Sequence, residues 1–143
     1  MATFKNPKKP KKELQYYSLA ITVGSLEARF NPGSSEALLI SRVSVNDGKF
    51  HTVAITKRNR RVWMTVDDYE VVTAKLGPGR NIGASASESE LFIGGVPQSS
   101  EWFKILGTNQ SLNGVIKDFI TDGKVIYFNN FVTFDSVEIG RGV

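Results

Sequence analysis

Cysteine is absent from this 143-residue sequence, and histidine occurs once, as His51. The absence of cysteine excludes disulfides, thiolate metal sites and thiol catalysis. A single histidine excludes a histidine-rich zinc site and argues against a Ser-His-Asp triad. Long apolar runs are also missing, and none approaches the roughly 20 residues that a membrane-spanning helix needs. These absences remove several enzyme and metalloprotein classes and predict no insertion into a membrane.

The residues that are present indicate one globular domain made of strands. Hydrophobic residues make up 41% and charged residues 22%, which is ordinary for a folded domain. Apolar and polar residues alternate with period two over residues 17–23 and 26–30. Asp47-Gly48 is typical of a hairpin turn, and Thr121-Asp122-Gly123 predicts a second hairpin between residues 112–120 and 124–128. No segment shows a sustained period of 3.6. Many short strands between turn signals predict an all-β fold, an antiparallel sandwich of two sheets.

Positive charge is concentrated in two stretches. The chain has 18 lysines and arginines against 14 acidic residues, a net charge of +4. The first stretch lies in a proline-containing segment, residues 1–13, that we predict to be an N-terminal loop or arm. The stretches contain Lys5, Lys8, Lys9, Lys11 and Lys12, and Lys57, Arg58, Arg60 and Arg61. Such clustering indicates a polyanionic partner, although a merely solvated surface is an open alternative for either stretch.

Four motifs, in order, resemble those of laminin G-like domains. Residues 45–53 are similar to the DG-x-W/F-H-x-V signature of that family, and residues 62–68 to its following L-x-V-D strand. Residues 91–97 resemble its L-Y-I-G-G-x-P motif, and residues 112–119 stand where it has F-x-G-C-I-R-x-L. The third motif is most like the form found in laminin alpha chains.

The resemblance implies a jelly-roll-like sandwich, of the concanavalin and laminin G type, over residues 14–143. It also implies strands before Leu14 that this sequence lacks, so we expect the domain to be partial. The family disulfide is absent, because Val115 stands at its first cysteine and no partner follows. Val115 is expected to fill the same buried space.

The function that the resemblance implies is binding rather than catalysis. Laminin G-like domains are secreted modules of the extracellular matrix and basement membrane that act in cell adhesion. Their partners are heparan sulfate, acidic glycans of the dystroglycan type, and cell-surface receptors such as dystroglycan or integrin. In this chain the implied glycan site is the hairpin tip Lys57, Arg58, Arg60 and Arg61, with Lys8, Lys9, Lys11 and Lys12 as a second arm.

A basic β-module that binds nucleic acid is the alternative hypothesis. The net charge permits it, but no RNP-like aromatic motif interleaves with the basic residues. An enzyme is not predicted, because Asp67 and Asp68 are adjacent and therefore a poor acid/base pair. His51 is interpreted as a packing residue rather than a base. Trp63, Trp102 and Phe103 are interpreted as packing residues or loop anchors rather than as a platform for a sugar ring.

Two further sites follow from the family and from a sequence motif. Many laminin G-like domains hold a calcium ion at the rim, and the candidate ligands here are Gln15, Glu88 and Glu90. Calcium prefers several oxygens, including carboxylates, so the neutral Gln15 weakens this site. Calcium is the one cofactor that the sequence leaves open. Asn109 begins an Asn-Gln-Ser sequon, which predicts glycosylation in a secreted protein.

Overall fold

The structure, a computed structural model, describes residues 2–5, 15–33, 35–68, 70–78, 90–96, 102, 106 and 110–127. Ten strands in these ranges form three antiparallel sheets. Their bounds are β1 Ala2–Lys5, β2 Tyr16–Thr22, β3 Ser25–Asn31, β4 Ala37–Ser44, β5 Val53–Arg58, β6 Arg61–Val66, β7 Glu70–Lys75, β8 Glu90–Ile93, β9 Ile120–Thr121 and β10 Lys124–Val125. No helix in the described part of the chain is both long enough and apolar enough to cross a membrane.

The larger sheet has five strands in the order β4-β3-β2-β1-β8. β1 lies between β2 and β8, with Phe4 paired to Tyr17 on one side and to Leu91 on the other. The prediction of a loop is therefore wrong for Ala2–Lys5. Four residues are too few for a period to be recognised, and it is pairing on both sides that holds them in a strand. The basic residues from Lys8 to Lys12 lie outside the described residues.

A second sheet has three strands in the order β5-β6-β7, and it packs against the five-stranded sheet. Along β6 the side chains alternate between buried and accessible, and Val62, Met64 and Val66 enter the core. From the larger sheet Leu26, Ala28, Phe30 and Leu39 meet them. Alternation at period two places every second side chain of a strand on the same face. The two-sheet antiparallel sandwich predicted from that alternation is confirmed.

The connection between β4 and β5 differs from the prediction. Asp47 and Gly48 lie between these strands, but β4 and β5 belong to different sheets and do not pair. The Asp-Gly pair therefore does not close a hairpin, although Gly48 has the positive φ, 77°, that such a turn favours. A turn signal reports a local backbone bend and not which strands pair on either side of it.

Residues 113–143 form a second compact unit. β9 and β10 pair around Asp122-Gly123, with Lys124 opposite Thr121. Both turn residues have positive φ, 49° and 73°, as a type I′ hairpin requires. The hairpin predicted there is present, with shorter strands. Val115 is 58% exposed, so the expectation that it fills a buried space is wrong.

Candidate functional site

The β5–β6 hairpin carries the second basic stretch of the sequence. Lys57 and Arg58 end β5, Asn59 and Arg60 form the turn, and Arg61 begins β6. Asn59 has a φ of 54°, a left-handed conformation that asparagine tolerates better than most residues. All five side chains are exposed. The hairpin therefore displays its cations to solvent, as a binding role for them requires.

Strand register divides these cations between two faces of the sheet. Arg58 is paired with Arg61, while Lys57 is paired with Val62, which is fully buried. Directly opposed residues share a face and neighbours along a strand alternate. Arg58 and Arg61 therefore lie on the outer face of the three-stranded sheet, and Lys57 lies on the other face. Of the residues predicted at this tip, the structure brings Arg58, Arg60 and Arg61 together and separates Lys57 from them.

A third strand adds a cation that the sequence did not indicate. Lys75, at the end of β7, is paired with Arg61, so Arg58, Arg61 and Lys75 form one row across three strands. We call these three residues the cation row. Within the described side chains none of the three has a carboxylate partner. Alternation along β7 could have placed Lys75 on the outer face, but only the β6–β7 register places it beside Arg61.

The like charges of the cation row raise the energy of the free protein. Opposed like charges are unfavourable across a strand pair, and here three cations lie side by side. Arg29, on the other sheet, shows the contrasting arrangement, because its guanidinium contacts Glu36 at 2.7 Å and Glu27 at 3.1 Å. Arg29 is neutralised by carboxylates of its own chain. At the cation row, a bound anion would supply the corresponding negative charge.

Arg60 completes one edge of this surface. Its Nε donates a hydrogen bond to the Leu76 carbonyl at 3.0 Å, and the Leu76 amide donates to the Arg60 carbonyl. These two bonds anchor the turn to the end of β7. The resulting open depression has a volume of about 330 Å³ and is lined by Arg58, Asn59, Arg60, Arg61, Trp63 and Lys75. Its lining combines four cations with one aromatic side chain.

His51 is held between two carboxylates away from that surface. Its Nδ1 lies 2.6 Å from Asp67 Oδ2 and its Nε2 lies 2.8 Å from Asp47 Oδ1. Asp67 Oδ1 also accepts a hydrogen bond from the Thr52 amide at 2.7 Å. The bond to Asp67, followed by that to Asp47, raises the pKa of His51, and His51 in turn lowers the pKa of both carboxyl groups. His51 thus joins two turns by polar contacts, rather than packing as an apolar ring.

The His51 contacts predict a pH-dependent stability. The pKa of His51 is raised in the folded chain, so its contribution is complete below its ordinary value of 6.5 and is lost as pH rises through the folded pKa. The two aspartates contribute above their ordinary 3.8 and lose that contribution as pH falls through their lowered pKa. We therefore expect the urea midpoint to fall between about pH 6 and about pH 8 in the wild type. The His51→Gln variant should lack this decline.

Asp67→Asn and Asp68→Asn form a matched pair for that measurement. Both residues occupy the same turn with positive φ, but of the two only Asp67 accepts from His51. Asp67→Asn should flatten the decline and Asp68→Asn should leave it in place. An unchanged profile in Asp67→Asn would mean that the carboxylate contact does not set the pKa of His51.

The candidate calcium ligands are only partly within the described residues. Gln15 is largely buried, and its Nε2 donates a hydrogen bond to the Pro32 carbonyl at 3.0 Å. Its Oε1 is therefore the atom that could bind a metal ion, and it carries no charge. Glu90 begins β8 at the same end of the sheet, while Glu88 lies outside the described residues. A calcium ion takes six to eight oxygens, and neither the Glu88 nor the Glu90 side chain is among those that the structure describes. Calcium binding therefore stays a prediction, as does glycosylation of Asn109, which also lies outside the described residues.

Comparison with known proteins identifies the family. The model of the laminin G domain matches residues 4–126. Mouse laminin subunit alpha-1 is 26% identical over 129 residues, which are 87% of this chain and 4% of that protein. The basement membrane proteoglycan of Caenorhabditis elegans is 33% identical over 123 residues, 76% of this chain and 4% of the relative. Human pikachurin is 26% identical over 114 residues, 78% of this chain and 11% of the relative.

The match confirms the resemblance that the four motifs carry. It extends over all of the strands from β2 to β10 and over the start of the chain from Phe4. The chain spans a small part of each of these relatives, so their own activities are not transferred to it with the fold. The chain belongs to the laminin G domain family.

Proposed function

We propose that this chain is an extracellular matrix module that binds sulfated or acidic glycans, of the heparan sulfate or dystroglycan type, or a receptor that carries them. The observation that carries the proposal is the cation row, whose three exposed side chains have no carboxylate partner among the described residues. Two similar proteins are basement membrane components by name, the basement membrane proteoglycan of Caenorhabditis elegans and a mouse basement membrane-specific heparan sulfate proteoglycan core protein. These names support secretion into the matrix.

The proposed mechanism is recognition by charge on a rigid scaffold. The arginine guanidinium is planar and always charged, and its donors match two oxygens of a sulfate or carboxylate at once. Arg58 and Arg61 come from paired strands, so the sheet holds their backbones at a constant spacing. The arm residues Lys8, Lys9, Lys11 and Lys12 would supply a second set of cations to a long polyanion. Attraction between such a surface and a polyanion raises the association rate and falls steeply with salt.

The proposal gives the described acidic residues no catalytic role. Asp47 and Asp67 are both bonded to His51 and to backbone amides. The Tyr16 hydroxyl donates to Glu36, and burial followed by that hydrogen bond raises the pKa of Tyr16 to about 12. These groups act in internal contacts that position strands and turns, and the proposed module is a binding protein and not an enzyme.

Heparin affinity of charge-matched variants tests the proposal. Arg58→Ser/Arg61→Ser removes two cations from the row, and Lys49→Ser/Lys124→Ser removes two exposed cations elsewhere. We expect the first variant to elute from a heparin column at clearly lower salt than the second. The slope of log affinity against log salt should flatten by roughly one to two, as it does when phosphate contacts to a nucleic acid are removed.

Equal elution of the two variants would show that the cation row is not part of the binding site. The remaining members of the predicted site are then tested by changing Lys57, Arg58, Arg60 and Arg61 together to serine. If that variant also elutes like the wild type, the hairpin has no role in polyanion binding. Nucleic acid remains the alternative ligand, and competition between heparin and a single-stranded oligonucleotide for the wild-type chain separates the two.

A further inference from the structure

Trp63 occupies a half-buried position in the middle of the three-stranded sheet. It lies on the central strand β6, paired with Thr56 of β5 and with Thr73 of β7. Its strand neighbours Val62 and Met64 are fully buried in the core, so Trp63 faces the other way. Thr56 and Thr73 are exposed on either side of it. Trp63 is half-buried, and it belongs to neither of the core clusters formed by the described residues.

The indole of Trp63 is adjacent to the cation row. Arg61 and Trp63 are two residues apart on one strand, a separation of about 7 Å, and the three cations span about 10 Å across the strands. Both belong to the lining of the same depression of about 330 Å³. Small-ligand sites combine apolar and aromatic side chains with a few charged groups. The lining of this open depression therefore brings one aromatic side chain together with four cations.

We infer that a sugar ring of a sulfated oligosaccharide stacks on Trp63 while its sulfate groups bind Arg58, Arg61 and Lys75. This inference rests on the proposed glycan function and adds to it an aromatic contact and a third cation. One face of a pyranose ring presents C–H groups, which suit the electron-rich face of an indole. Sulfate esters on the same ring are within reach of the cation row. The site would thus select glycans that combine a ring with sulfates over simple anions.

The sheet face favours a sugar over a nucleic acid base. Proteins that bind single-stranded nucleic acid stack successive bases on several aromatic side chains. Among the described residues of this outer face Trp63 is the one aromatic residue, and the rows beside it contain Ala54, Thr56, Thr65, Val71 and Thr73. A single platform beside clustered cations fits one ring with charged substituents. A nucleic acid is accordingly an outcome that the experiment must distinguish.

Tryptophan fluorescence of the wild-type chain provides a test that needs no mutation. The chain has two tryptophans, of which Trp102 is fully buried and Trp63 is partly accessible. We expect a size-defined, heparin-derived oligosaccharide to protect the accessible tryptophan from acrylamide quenching, and its desulfated form to do so far less. Quenching that the sulfated oligosaccharide leaves unchanged at saturation would overturn the stacking contact. Stronger protection by an oligonucleotide of equal charge would assign the face to nucleic acid instead.

Variants separate the aromatic contact from the charge contacts. Trp63→Ala should raise the Kd for the oligosaccharide about tenfold and leave the salt dependence unchanged, because it removes no charge. Trp63→Phe should recover most of the affinity. Lys75→Ser should flatten the salt slope by roughly one, whereas the exposed Lys49→Ser should have little effect. If Trp63 had only a structural role, Trp63→Ala would lower the free energy of unfolding. It would not raise the Kd for the oligosaccharide while leaving the salt slope unchanged.

The inference and the proposed function fail in different ways. If Arg58→Ser/Arg61→Ser loses affinity while Trp63→Ala and Lys75→Ser bind like the wild type, the glycan function stands and the inference is wrong. If none of these variants differs from the charge-matched control, the glycan function itself fails.

Discussion

Trp102→Ala is expected to lower the free energy of unfolding by about 3–5 kcal/mol, the usual cost of removing a fully buried tryptophan. Trp102 is 0% exposed and packs with Tyr16, their ring centroids 5.4 Å apart at an interplanar angle of 68°. Phe92, Val96 and Leu106 complete this cluster. The alanine side chain would leave a large cavity beside the five-stranded sheet. Urea denaturation of the two proteins at one pH measures the difference.

Trp63→Ala is the matched control for that measurement. The substitution is chemically identical, but Trp63 is half-buried and absent from both core clusters. We expect it to cost about 1–2 kcal/mol, from lost strand propensity and partial burial. Equal losses for the two variants would show that Trp63 packs like a core residue, and would count against its role as a ligand platform.

Leu39→Ala is expected to destabilise the chain by about 2–5 kcal/mol. Leu39 is 1% exposed and belongs to the core between the two sheets, where it meets residues of β6. Leu38, its neighbour on β4, is 42% exposed on the opposite face. Leu38→Ala should therefore cost less than about 1 kcal/mol, near the range of surface substitutions. A comparison of the two unfolding midpoints checks which face of β4 the core occupies.

A larger loss for Leu38→Ala than for Leu39→Ala would contradict the register of β4. A slip by one residue transfers every side chain of a strand to the other face. Ala28 pairs with Leu39 in the present register, and both are fully buried. The pair of leucine variants is thus a sensitive test of how β4 is placed against β3.

Much of the fold was predictable because its signals are local. Alternation over residues 17–23 and 26–30 predicted β2 and β3, and Asp122-Gly123 predicted the β9–β10 hairpin. β1 was missed, because a four-residue strand is held by partners far away in sequence. The Asp47-Gly48 turn was assigned to a hairpin, although its flanking strands enter different sheets. In both cases pairing between distant segments outweighed the local signal.

The sequence by itself determined the family, through four ordered motifs, and the presence of a basic hairpin tip. The tertiary structure decided how those cations are arranged. Lys75 is 14 positions beyond Arg61 in the chain, and β-sheet register makes them neighbours. The same register places Lys57 on the opposite face of the sheet and places Trp63 beside the cation row. The physical reason is that a strand's own alternation divides its residues between two faces, while hydrogen bonding to the next strand selects which residues meet on each face.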